Sequence, residues 1–277
     1  VGRVASALIA LTVLVAGCGA QPQTSSIAVG SGSDPESMLV ANLYAAALRS
    51  YGTPAHVEQV PDPLTKLDAG DVRVVAGFTG RLLHRFDPDS TARSAAQVYR
   101  DMVSALPEGI AAGDYTESAE DKPALVVTEA TADGWGAHDV TAAVRHCDTL
   151  NVVQVVDAPR PDAIGSCKPK VAELPGPAKT FAAVMAGRFN AAWTSTASPD
   201  IPSELLMLSD RTSLIRAENL VPLYRRNELT EPQVLALNEV AGVLDTAALA
   251  DMRRRVAGGD PAGNVAGTFL AEHPLGD

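Results

Sequence analysis

From residue 27 onward, short apolar runs alternate with segments spaced like helices, and few folds accommodate that order. Ile27-Ala28-Val29-Gly30-Ser31-Gly32 reads as a buried strand that leaves through a small-residue turn. Asp34-Pro35-Glu36-Ser37 opens a helix, with proline where a missing N–H does no harm. Met38, Leu39, Ala41, Leu43, Tyr44, Ala47 and Leu48 continue it at helical spacing until Tyr51-Gly52-Thr53-Pro54. A strand over 56–60, a short helix with its exit over 65–71 and a strand over 72–78 follow, the last ending at Thr79-Gly80. One helix starts at Arg81 and another covers 94–106. A second block holds a strand at 124–128, a helix from His138-Asp139 with Asp139 as N-cap, and an extended apolar segment at 151–156. It continues with a helix at 179–186 and strands at 189–196 and 205–210. Three helices close the chain, starting at Glu231-Pro232, Asp245-Thr246 and Asp260-Pro261. Strands alternating with helices place sheets with both faces covered, so the class is α/β.

Ahead of these blocks, Arg3 precedes an apolar run over residues 4–16 that ends in Val15-Ala16-Gly17-Cys18. The run is short for a membrane-spanning helix and suits the apolar core of a signal peptide. Its end resembles a bacterial lipobox, which implies a signal peptide at 1–17, a lipid on Cys18 and a tether over 18–26. Gly-Ala-Gln-Pro-Gln-Thr-Ser-Ser, polar and breaker-rich, suits a tether. The competing reading is a buried helix with a chance cysteine. Export places the protein on the outer face of the cytoplasmic membrane as a lipoprotein. No second stretch approaches spanning length, so the expectation is a protein anchored to a membrane and not crossing it. In that oxidising compartment Cys147 and Cys167 are expected to form a disulfide. A metal site competes, but only His146 stands nearby and no second Cys or His pair follows.

The formal net charge is −11 over 277 residues, and Lys and Arg form no cluster that suits a phosphate backbone, so no nucleic-acid partner is expected. The five histidines (His56, His84, His138, His146, His273) are scattered without metal spacing. Neither a Gly-x-Ser-x-Gly elbow nor a phosphate-binding glycine loop occurs. No catalytic constellation stands out, so the chain is not expected to be an enzyme or to carry a cofactor or metal.

Gly30-Ser31 through Glu36-Ser37, followed by Ala41-Asn42-Leu43-Tyr44-Ala45-Ala46-Ala47-Leu48, resembles the opening of glycine betaine/choline/osmoprotectant-binding proteins of ABC importers. Leu67-Asp68-Ala69-Gly70-Asp71 and Phe78-Thr79-Gly80 continue the likeness; the family carries Tyr-Thr-Gly at the latter. Leu208-Ser209-Asp210, Val221-Pro222, Leu237-Asn238, Leu244-Asp245-Thr246 and Val265-Ala266 with Phe269-Leu270 extend it to about residue 272. The resemblance implies a two-lobed, periplasmic-binding-protein-like α/β fold with a hinged interdomain cleft. It places lobe 1 at 27–121 plus 213–277 and lobe 2 at 122–212.

In that family, aromatic rings cage a quaternary ammonium by cation–π attraction. The resemblance places Phe78 and Trp193 at two cage positions, and Pro123 and Glu218 at two others where the family has aromatic residues. Glu218 attracts a cation by charge, or the ligand is a different polar compound; Phe78 and Trp193 also suit a plain core role. Ser31, Glu36, Ser37, Thr79 and Asn219 complete the candidate ligand contacts. Polar residues at a helix start also act as caps, and a helix N-terminus receives anionic groups. The implied function is capture of a small solute, a quaternary amine or related compound, for an ABC permease. A surface sensor reusing the fold, or a binding lipoprotein for another small polar compound, is the alternative.

Overall fold

The computed structural model describes residues 26–276. The expected signal peptide, the lipidated Cys18 and nearly all of the tether lie outside the described residues.

The chain opens with β1 (Ile27–Ser31) and α1 (Pro35–Ser50). Asp34 caps α1 by accepting a 2.8 Å hydrogen bond from the Ser37 N–H, and Pro35 occupies the first turn. Nine residues of α1 are buried, from Leu39 to Leu48, with Tyr44 wholly enclosed. Then come β2 (Ala55–Gln59), α2 (Pro63–Ala69), β3 (Val74–Phe78), α3 (Thr79–Phe86), α4 (Ala95–Ala105) and β4 (Ile110–Ala112). Asp62 caps α2, and Gly70 ends it in the left-handed conformation that glycine adopts without steric cost.

The chain then crosses into a second sheet. Its elements are β5 (Pro123–Thr128), α5 (Glu129–Trp135), α6 (Val140–Arg145), β6 (Asn151–Val155), β7 (Lys170–Leu174), α7 (Pro177–Met185), β8 (Ala191–Ser195) and β9 (Leu205–Met207). Asp139 caps α6 through the Ala142 N–H at 2.8 Å. A disulfide joins Cys147 to Cys167 with their Cα atoms 5.6 Å apart, tying the loop after β6 to the end of α6.

A second crossing returns the chain to the first sheet as β10 (Leu220–Arg225), followed by α8 (Glu231–Val243), α9 (Thr246–Ala257) and α10 (Ala262–Glu272). These helices pack around α1. Among the described residues no single helix is long and apolar enough to cross a membrane.

The two sheets share one plan. The first has the order β2-β1-β3-β10-β4 and the second β7-β6-β8-β5-β9. In each, three parallel strands meet a fourth that runs antiparallel. That fourth strand, β10 or β5, is the one that has just arrived from the other lobe. The crossings lie side by side: Asp121 N–H donates to Glu218 O at 2.8 Å, and Thr116 N–H to Leu220 O at 2.9 Å. Ile215 packs in the core of the second lobe and Ala217 in that of the first. The return crossing therefore changes lobes between them, slightly beyond position 213.

β10 holds Pro222 between two neighbours, where proline removes a ladder donor. The Gly113 N–H still donates to Pro222 O at 2.9 Å. The reciprocal bond to the Gly113 carbonyl comes instead from the Tyr99 hydroxyl, at 2.8 Å.

Candidate functional site: the interlobe cleft

A cleft of about 830 Å³ opens between the lobes. Glu36, Arg81, Asp121, Glu218 and Arg253 line it on the first-lobe side, and Arg160, Trp193 and Ser195 on the second.

The first-lobe floor is built where β3 ends and α3 begins. Starting α3 at Thr79, two residues before the position read from the sequence, leaves the N–H groups of Gly80 and Arg81 without intrahelical partners and lets them meet Glu218. The Arg81 N–H donates to Glu218 Oε2 at 2.9 Å, and the Gly80 N–H faces the same carboxyl. Burial pushes the Glu218 carboxyl up to about 7, and the opposing pull of Arg81 does not cancel it. Gly80 lies so close to Glu218 and the Ala217 carbonyl that a side chain has no room there.

The Arg81 side chain spans the floor. Its guanidinium lies 4.5 Å from the centre of the Phe78 ring. One terminal nitrogen is 2.6 Å from Glu36 and the other 2.5 Å from Asp121. Arg253 reaches Asp121 at 2.5 Å and Glu36 at 3.4 Å. Two carboxyls and two guanidinia thus form one cluster. Burial and the neighbouring Asp121 charge raise the Glu36 carboxyl, against the pull of the arginines. Burial works to raise Asp121 as well, but Arg253, hydrogen bonds from Ser195 and Glu36, and Arg81 bring it below the usual range.

Of the residues singled out from the sequence, Glu36, Trp193 and Glu218 line the cleft together. Ser31, Ser37, Phe78, Thr79 and Asn219 stand behind it. Ser37 Oγ accepts from the Gly32 N–H at 2.7 Å and lies 3.2 Å from Ser31 Oγ, fixing the turn after β1. Thr79 and Asn219 bind each other: Thr79 N–H donates to Asn219 O, and Asn219 N–H to Thr79 Oγ1 at 3.1 Å. The Asn219 side-chain amide donates to Thr116 O at 3.0 Å. Phe78 is 4 % exposed and packs in the core below Arg81. Pro123 lines the cleft as well.

Sequence reasoning missed Arg81, Asp121, Arg160 and Arg253. The one local signal was Arg81 directly following Phe78-Thr79-Gly80. Away from the cleft, the fold brings Glu129, Asp133 and His138 close together on the surface, although their sequence spacing shows no metal pattern. All three are exposed, and His138 lies 3.4 Å from Asp133 and 3.7 Å from Glu129.

The family model described as the substrate binding domain of ABC-type glycine betaine transport systems matches residues 25–158. The chain resembles this substrate-binding family. Members of the glycine betaine substrate-binding family serve ABC transporters and are not enzymes. Among curated proteins no sequence matches the chain. Among solved structures, a glycine betaine/carnitine/choline ABC transporter protein superposes with a TM-score of 0.73 at 15% identity, covering 90% of this chain and 98% of that one. Apo YehZ from Escherichia coli gives 0.70 at 21% identity, covering 90% and 99%. An ABC-transporter choline binding protein in complex with choline gives 0.55 at 14%, covering 90% and 89%. At these identities the likeness establishes the fold: two α/β lobes of the periplasmic-binding-protein type.

Proposed function

We propose that the chain is the extracytoplasmic solute-binding component of an ABC importer. It takes a small organic solute into the cleft, closes its lobes over it and presents the closed shape to a permease. The observation that carries this reading is a cleft lined from both lobes, which two adjacent crossings join. A ligand that touches both walls binds best when they approach, so occupancy shifts the population toward closure. The lobes are 27–121 plus the segment from about 216 onward, and the stretch between. Trp193 is the proposed ligand contact among the residues singled out from the sequence; Glu36 and Glu218 line the cleft and hold its arginine floor, and Ser31, Ser37, Phe78, Thr79 and Asn219 support it from behind. A lipid on Cys18 holds the protein at the membrane; labelling with radioactive palmitate, lost in Cys18→Ser, tests that anchor.

The resemblance points to an osmoprotectant such as glycine betaine or choline. The position of Arg81 over Phe78 favours a different small polar compound, because the ring face that a ligand cation needs already carries a cation. Thermal melting of the purified protein against osmolytes, amino acids, polyamines, sugars and organic acids tests the binding role. One class raises Tm, by the equivalent of about 2.7 kcal/mol at a hundredfold excess over Kd. Trp193→Ala removes the shift. No shift with any class overturns the reading.

A further inference from the structure

We infer that Arg81 takes the place of a ligand cation, and that the cleft selects a small organic carboxylate bearing no quaternary ammonium group. This rests on the solute-binding reading and narrows it.

Most of the negative charge on the first-lobe floor is already engaged; Glu36 Oε1 alone has no hydrogen-bond partner, and Arg253 stands 3.4 Å from it. Arg81 covers the Phe78 ring, where a ligand ammonium would gain cation–π attraction. Glu36 and Asp121 are shared between Arg81 and Arg253. The Glu218 carboxyl is held by the backbone at the start of α3. A quaternary amine entering here would meet two guanidinia in front of the carboxylates.

The opposite wall offers donors without acceptors. Trp193 is 3 % exposed and lines the cleft, yet its indole N–H has no partner. The Arg160 Nε–H is likewise buried and unpartnered, and its terminal nitrogen reaches only Pro161 O at 3.3 Å and Asp162 at 3.9 Å. Arg93 and Arg216, also on the lining, bond to backbone carbonyls and pair with no carboxylate among the described residues. Five arginines line the cavity beside four carboxyl residues, Glu36, Asp121, Asp162 and Glu218; of these, Glu36 and Asp121 pair with Arg81 and Arg253, and Asp162 stands 3.9 Å from Arg160. Buried donors without acceptors are costly, and a carboxylate supplies the kind of acceptor that the indole N–H and the Arg160 guanidinium lack. A carboxylate matches this wall in both charge and hydrogen-bonding sense.

Isothermal titration of the purified protein with choline, succinate, glycolate and benzoate tests the inference. At least one carboxylate binds, and choline gives no binding heat. Arg160→Gln, a loop change whose folding a melting curve checks, weakens the carboxylate tenfold or more. Arg81→Gln bares the Phe78 ring and gains choline binding; should that variant fail to fold, the wild-type contrast alone decides. Choline binding by the wild type overturns the inference and leaves the solute-binding role intact. So does silence to all three carboxylates alongside a Tm shift with another solute class. Carboxylate binding untouched by Arg160→Gln overturns the assigned wall. Silence to every solute removes the binding role as well.

Discussion

Arg81 and Phe78 are three residues apart, and the guanidinium of one covers the ring of the other at 4.5 Å. Helix α3 begins between them, so the helix start sets this contact, and Glu36 and Asp121 fix the far end of the arginine.

Asp121 holds both guanidinia of the cluster, and its side chain is 3 % exposed. Asp121→Asn keeps the shape and removes the charge that Arg81 and Arg253 share. The expected loss is about 2 kcal/mol, less than for a fully buried pair because both arginines keep contact with water. Urea unfolding at neutral pH measures it; an unchanged midpoint contradicts the role given to Asp121.

Glu218 makes stability depend on pH. Its carboxyl titrates near 4.5 when unfolded and at about 7 when folded. Between those values the folded state holds more protons, so the stability this group contributes falls as pH rises from about 4.5 to about 7. Arg81 and Asp121 are the charges facing it. Glu218→Gln mimics the neutral form and removes the trend. The Tm of the wild type, measured relative to that variant, should decline from pH 5 to pH 8; parallel profiles contradict the burial of this charge.

A Cβ at Gly80 would stand 2.5 Å from the Ala217 carbonyl oxygen and 2.7 Å from Glu218 Oε1. Gly80→Ala is therefore expected to destabilise by about 1–3 kcal/mol. Gly267, inside α10, has open space around the same atom. Gly267→Ala is expected to stabilise by roughly 0.5–1 kcal/mol through helix propensity. Chemical denaturation of both variants gives the two signs, and equal signs contradict the packing at position 80.

The Cys147–Cys167 disulfide closes a loop with a sequence separation of 20. Reduction by dithiothreitol should lower stability by about 3 kcal/mol in the chain-entropy treatment. Urea titration with and without reductant reads the difference. The effect should centre on the second lobe, whose core includes Cys167.

Helix caps and apolar spacing made most elements legible. Asp34, Asp139 and Asp245 each accept a hydrogen bond from the residue three positions on, and each begins the expected helix. β7 went unread because Lys170–Leu174 is a half-buried edge strand in which Val171-Ala172 and Leu174 do not alternate cleanly with polar residues. β10 went unread because Pro222 argues against an inner strand, and the donor that compensates for it is Tyr99, far away in sequence. The site was only partly legible for a related reason. Residues 36, 81, 121, 218 and 253 meet only after the chain has crossed between sheets twice, so no local spacing announces their cluster.

The late return of β10 also bears on how a nascent chain can assemble. β3 finds its antiparallel neighbour only once residues 220–225 have emerged from the ribosome, long after β1, β2 and β3 are made. Until then the half-built sheet keeps an open edge, and contacts so distant in sequence form slowly. Synthesis therefore outruns completion of the amino-terminal lobe, and premature termination anywhere before β10 leaves a fragment unable to finish its own sheet.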